Sequence, residues 1–85
     1  MLLAMNQLVN MASTKSYLSN GNLRVPMVVR SMIGRSWGQG PQHSQSLQAW
    51  FAHVPGLKVV MPTVPYDAKG LLIASIRDNN PVIFL

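Results

Sequence analysis

Residues 57–85, LKVVMPTVPYDAKGLLIASIRDNNPVIFL, hold two short apolar runs, LKVVM at 57–61 and VIFL at 82–85, on either side of a segment with helical spacing. Runs that are β-branched and almost continuously apolar are the pattern of strands covered on both faces. Between them, Thr63 offers a capping hydroxyl, Pro65 a preset φ and Asp67 a carboxylate for the positive end of a helix. Ala68, Leu71, Leu72, Ser75 and Ile76 carry that helix on, and Asp78-Asn79-Asn80-Pro81 ends it. Two strands joined through a helix run parallel, because a crossover returns the chain to the same end of the sheet.

Upstream, the pattern repeats. Leu47, Trp50 and Phe51 within 43–53, and then Val54, share a helical face, and Pro55-Gly56 stops the helix. The stretch SMIGRSWGQGPQ at 31–42, with three glycines and a proline, predicts a loop of a length that often carries function. VPMVVR at 25–30 predicts another buried parallel strand, and Leu2, Met5, Leu8, Val9 and Ala12 predict a helix over 2–18 closed by the Ser19-Asn20-Gly21-Asn22 turn. The order α, β, loop, α, β, α, β defines an α/β fold with a mainly parallel three-stranded sheet and flanking helices. Both edges of so small a sheet are open in isolation, an aggregation hazard unless other strands complete it. A chain of 85 residues allows one small domain, and one that buries little surface unless something supports it.

Composition points the same way. Apolar residues make up 48% of the chain and charged ones only 11%, whereas a soluble domain is roughly a quarter charged. Seven Lys and Arg against two Asp give a net charge of +5. The basic residues are scattered singly, without a run, aromatic interleaving or a nucleic-acid motif, which argues against nucleic-acid binding. A deficit of acids also arises when a partner subunit, or a missing part of the same chain, carries the compensating carboxylates. The absence of cysteine excludes disulfides and thiolate metal sites. Met1-Leu2-Leu3-Ala4-Met5 lacks the basic flank of a signal peptide, and no apolar run is long enough to cross a bilayer, so a soluble, intracellular protein without a membrane partner is expected.

Among titratable residues His43 stands out, since it follows the glycine-rich loop at the expected N-terminus of a helix after a strand, where ligands of open α/β sheets bind. There the positive helix end disfavours imidazolium and suits the ring to accept or relay a proton. The alternative is that Gln42 and His43 merely cap the helix. His53, beside Pro55-Gly56, is expected to serve late carbonyls of the same helix. The two histidines are too far apart for a zinc site. Gly34, Gly38 and Gly40 match neither phosphate-binding fingerprint, and Ser44 and Ser46 lack a nucleophile-elbow context. The end of the helix at 65–77 presents orphan carbonyls before Asp78 and Asn80 that suit a hard cation, as every helix end does in some measure.

Three segments, PQHSQS at 41–46, PGLKVVMP at 55–62, and DAKGLL followed by IRDNNPV, closely resemble the beta subunits of thiamine-diphosphate-dependent pyruvate, acetoin and branched-chain 2-oxo acid dehydrogenases. VPMVVRSMIG and the preceding helix extend the resemblance over nearly all of the chain. It implies that residues 1–85 form the later half of a transketolase-like pyrimidine-binding domain, with the C-terminal domain absent. It further implies oxidative decarboxylation of a 2-oxo acid, or acetoin cleavage, with acyl transfer to a lipoyl carrier. The implied partners are an alpha subunit, a second beta subunit and a lipoyl-bearing acyltransferase, in the bacterial cytoplasm or the mitochondrial matrix. By the same match His43 lines the active site and assists proton transfer. Backbone oxygens of Met27, Ser75, Ile76, Asp78 and Asn80 would surround a structural potassium ion. Magnesium and the diphosphate are held by the alpha subunit in this family. The family's glutamate that contacts the aminopyrimidine falls outside this chain, and neither Asp67 nor Asp78 takes its place, so no catalysis is expected from these residues alone. A truncated reading frame or a partial gene is the expected origin, and a non-catalytic subunit-interaction module is the alternative.

Overall fold

The computed structural model describes residues 1–35 and 37–85; Ser36, within the expected loop, lies outside the described residues. Three parallel strands, β1 (Val28–Arg30), β2 (Lys58–Val60) and β3 (Val82–Phe84), form one sheet in the order β1-β3-β2. β3 is central, with Val28, Val29 and Arg30 opposite Val82, Ile83 and Phe84 on one side and Lys58, Val59 and Val60 on the other.

The expected helix over 2–18 is helical but not regular. A 3₁₀ turn at Leu2–Ala4 leads to a π-helical stretch at Gln7–Ala12, and a single α-helical turn, α1, spans Lys15–Leu18. The cause lies in its hydroxyls. Ser13 Oγ donates to the Val9 carbonyl and Thr14 Oγ1 to the Asn10 carbonyl, competing with the backbone ladder. The Ser13 N–H correspondingly reaches back five residues to the Leu8 carbonyl. The closing turn falls where expected, with Asn20 at φ 53° and the Gly21 N–H on the Ser16 carbonyl at 2.7 Å.

The remaining elements keep their predicted order but are shorter. Pro26 has no N–H to give a ladder, so β1 begins at Val28 rather than Val25. β2 spans 58–60 because the Leu57 N–H is spent in a turn to the Val54 carbonyl, and Pro62 follows one residue beyond Met61. Helix α2 covers only Gln48–Ala52, not 43–53. Helix α3 covers Pro65–Ile76 with Pro65 at its start and Asp67 in its first turn, as predicted. Thr63 is not its cap: Val64 holds that position in extended backbone, with no side-chain bond.

Burial follows the pleat. Val29, Ile83 and Val59 share one face, where Leu8, Phe51 and Ile83 form the core with Leu47 and Met27 packed around them. Val82 and Phe84 alternate to the other face and are buried, and α3 packs on β3. Two-sided burial therefore holds for β3 alone; β1 and β2, as edges, are partly exposed. The chain is flat, 45 × 29 × 16 Å. It exposes 6376 Å², against about 5,000 Å² expected for a compact monomer of this mass. Leu3, Met32 and Tyr66 are among the large side chains left exposed. No helix among the described residues is long and apolar enough to cross a membrane.

Candidate functional site

At the carboxyl end of β1 the chain opens a cavity of about 610 Å³, within the size range of small-molecule sites. Ser31, Met32 and Ile33 leave β1 along one wall, and Met1, Leu2 and Leu3 close another. The rest comes from the segment before α2: Gln39, Gln42, His43, Gln45 and Leu47. Among the described residues, the lining thus combines apolar walls with three side-chain amides, one imidazole and no carboxylate, Lys or Arg side chain.

His43 sits in this cavity, exposed, on a turn in which its N–H donates to the Gly40 carbonyl at 3.3 Å. Gly40 takes φ 71° there, a conformation that glycine adopts without the steric penalty of a Cβ. The helix begins only at Gln48, with Leu47 as its cap residue. His43 is therefore not at a helix N-terminus, the dipole argument for its neutral form does not apply, and neither Gln42 nor His43 caps α2. The reason is a contact with the loop: Gln45 is drawn away from helical geometry, its carbonyl accepting the Gly34 N–H at 3.5 Å. Gly34 and Gly38 also take positive φ. Ser44 and Ser46 make no hydrogen bond to a base among the described residues. The side-chain oxygen of Gln48, in the first turn of α2, is buried without a hydrogen-bond partner, a feature that residue type and spacing do not reveal.

His53 is the C-cap residue of α2, and its backbone N–H reaches the Ala49 carbonyl at 3.1 Å. Its ring, however, is exposed and makes no hydrogen bond among the described residues, so the expected capping by the imidazole does not occur.

At the opposite end of the sheet, the parallel register sets Met27, just before β1, beside Pro81, just before β3, and Asn80 falls one residue further back, next to the end of α3. The Met27 carbonyl accepts the Val82 N–H at 2.8 Å and the Ser75 carbonyl the Asp78 N–H at 3.2 Å. The Asn80 N–H, which could have continued the helix onto the Ile76 carbonyl, bonds Asp78 Oδ1 instead at 2.8 Å. The carbonyls of Ile76, Asp78 and Asn80 are left without a backbone hydrogen bond among the described residues. The Asp78 side chain is itself occupied, Oδ1 by Asn80 and Oδ2 by the Lys58 ammonium.

The Lys58–Asp78 ion pair is a feature the sequence reading missed, although its signal was present: a lysine opening β2 and an aspartate in the turn before the adjacent β3. The Lys58 ammonium first, and then the two Asn80 donors, lower the Asp78 carboxyl from 3.8 to about 2. Since the folded value lies below the unfolded one, the pair's contribution is complete above about pH 4 and lost as pH falls through about 2. Thermal melts of the protein and of Asp78→Asn should differ at pH 5, with the native chain the more stable, and converge by about pH 2. A difference unchanged across that window would remove the carboxylate as its cause.

The sheet order, the parallel register and a cavity at the carboxyl end of a strand define a small open α/β architecture, and the chain belongs to the transketolase pyrimidine-binding domain family, which it matches over residues 3–85. Its relatives narrow this. It is 51% identical over 79 residues to the beta subunit of acetoin:2,6-dichlorophenolindophenol oxidoreductase from Cupriavidus necator, covering 93% of this chain and 23% of that protein. It is 52% identical over 82 residues to the mitochondrial pyruvate dehydrogenase E1 beta subunit of Caenorhabditis elegans, covering 96% and 23%. The corresponding subunit of Rhizobium meliloti is 51% identical over 82 residues, covering 96% and 18%. The chain spans about a quarter of the length of these relatives or less.

Proposed function

We propose that this chain is the later half of the pyrimidine-binding domain of a thiamine-diphosphate-dependent dehydrogenase beta subunit. The parent activity is oxidative decarboxylation of a 2-oxo acid, or cleavage of acetoin, with the acyl group passed to a lipoyl carrier. The supporting observation is His43 in a cavity at the carboxyl end of β1, in a chain half identical to such subunits. The lining suits one end of the cofactor. Apolar walls accept a flat ring, and amides of Gln39, Gln42 and Gln45 offer both donors and acceptors to an aminopyrimidine. No Lys or Arg side chain lines the cavity among the described residues, and magnesium and the diphosphate would be held by an alpha subunit. Bound there, the cofactor supplies the electron sink for decarboxylation; His43 holds or relays a proton at its imidazole nitrogen and the amides orient the ring. A second beta subunit and a lipoyl-bearing acyltransferase complete the assembly, in the bacterial cytoplasm or the mitochondrial matrix.

Calorimetric titration with thiamine diphosphate and magnesium should give no binding to the chain alone and saturable binding once a matching alpha subunit is present. In a full-length parent beta subunit, which supplies the glutamate that falls outside this chain, the change corresponding to His43→Ala should preserve binding and lower acyl transfer by about 100-fold or more. Silence in both titrations would leave the second reading, a subunit-interaction module, which the apolar groove along the open edge of β1, lined by Met11, Val25, Met27 and Val29, favours.

The carbonyls of Met27, Ser75, Ile76, Asp78 and Asn80 form the proposed potassium site. A site that binds the folded chain alone raises Tm by mass action, so melts at equal ionic strength should be higher in potassium than in tetramethylammonium. Equal values would dismiss the ion.

A further inference from the structure

A second cavity, of about 490 Å³, opens beyond the carboxyl ends of all three strands. Arg30, the last residue of β1, and Arg35 line it together with the hydroxyl-bearing Ser31 and Thr63. Its floor is apolar, built from Met61 and Phe84. Neither guanidinium makes a hydrogen bond or an ion pair among the described residues. No acidic side chain lines the cavity: of the two aspartates in the chain, Asp78 is held by Lys58 before the amino ends of the strands, and Asp67 lies in α3 outside the lining. The α-carboxylate of the last residue, Leu85, which also lines the cavity, pairs with neither arginine, and two guanidiniums against it leave a net positive charge beside an apolar floor, the complement of an anion with a short hydrocarbon body. A guanidinium can clamp such a group with two parallel hydrogen bonds.

We propose that this cavity binds a small organic anion, a carboxylate or a phosphate ester, with its charged group between Arg30 and Arg35 and its carbon chain on Met61 and Phe84. The cavity shares Ser31, Met32 and Ile33 with the one that holds His43. A ligand bound at one therefore touches the wall of the other. The site is independent of the cofactor reading, because it needs no alpha subunit and no thiamine diphosphate; failure of the cofactor titration leaves it standing.

The test is titration of the 85-residue chain at low ionic strength, followed by the methyl NMR signals of Met32, Ile33 and Met61. Pentanoate and n-butyl phosphate are the probes, with 1-pentanol and inorganic phosphate as controls for chain and for charge. At least one probe should move these methyls saturably, with affinity at least about 5-fold above both controls, and the stronger of the two identifies the anion source. Arg30→Gln and Arg35→Gln should each weaken binding about 5-fold or more, as expected for loss of a charge-assisted hydrogen bond, whereas Lys15→Gln should not. Both arginines are exposed, so the variants should fold, and unchanged spectra away from the cavity would confirm it. Equal responses to pentanoate and pentanol and to butyl and inorganic phosphate, or unweakened binding by both arginine variants, would overturn the proposal.

Discussion

Gly56→Ala is expected to abolish cooperative folding, or to destabilise the chain by more than about 3 kcal/mol, from steric overlap and left-handed backbone together. Gly56 has φ +89°, and a Cβ built on it would sit 2.2 Å from the Ser13 carbonyl oxygen and 3.0 Å from its carbon. The obstacle is backbone, so no rotamer change relieves it. Nor can Ser13 yield freely: it is buried, and its N–H closes the π-helical stretch on Leu8 at 3.0 Å. The substitution therefore pushes the amino-terminal helical layer off the turn that feeds β2. A domain of this size has roughly 5 kcal/mol or less to lose. Gly70→Ala is the control, since Gly70 lies inside α3 with nothing within 4 Å of an added Cβ, and it should stabilise by about 0.5–1 kcal/mol through helix propensity. Urea melts followed by circular dichroism read both; similar midpoints for the two variants would mean that the close approach at Gly56 is not present in solution.

What the residues revealed and what they withheld divides along a physical line. Strand–helix–strand order, Pro65 opening α3 and the turn at Asn20-Gly21 are set by local chemistry, and each stands where the spacing placed it. Element ends were misplaced where a side chain or a distant carbonyl intervenes, as with the Ser13 and Thr14 hydroxyls and the Gly34–Gln45 bond that delays α2. The same delay places His43 on a turn rather than at a helix end. The cavity around it was anticipated from the rule for open α/β sheets, but its wall of Met1, Leu2 and Leu3 was not, because no periodicity tells which strand end a preceding helix will overhang. The five carbonyls proposed for potassium came from the resemblance; the residues alone offered only a helix end, a feature common to all helices.

Phe51→Ala should destabilise the chain by roughly 3–5 kcal/mol, the range for emptying a buried aromatic site, and Phe51→Leu by only about 1 kcal/mol. Phe51 is fully buried and meets Leu8 from the amino-terminal layer and Ile83 from the central strand, so one side chain joins three elements that share few other buried contacts. A larger core could relax around the loss, but here Leu8, Phe51 and Ile83 make up the buried cluster on that face of the sheet among the described residues. The effect should extend to the candidate site through Leu47, which both packs on this cluster and lines the His43 cavity. In Phe51→Leu, which stays folded, the His43 ring protons should therefore shift in NMR spectra while those of His53, at the far end of α2, move less. Equal shifts at the two rings would mean that the change spreads along α2 as a whole, and that Leu47 is not the link between the core and the cavity.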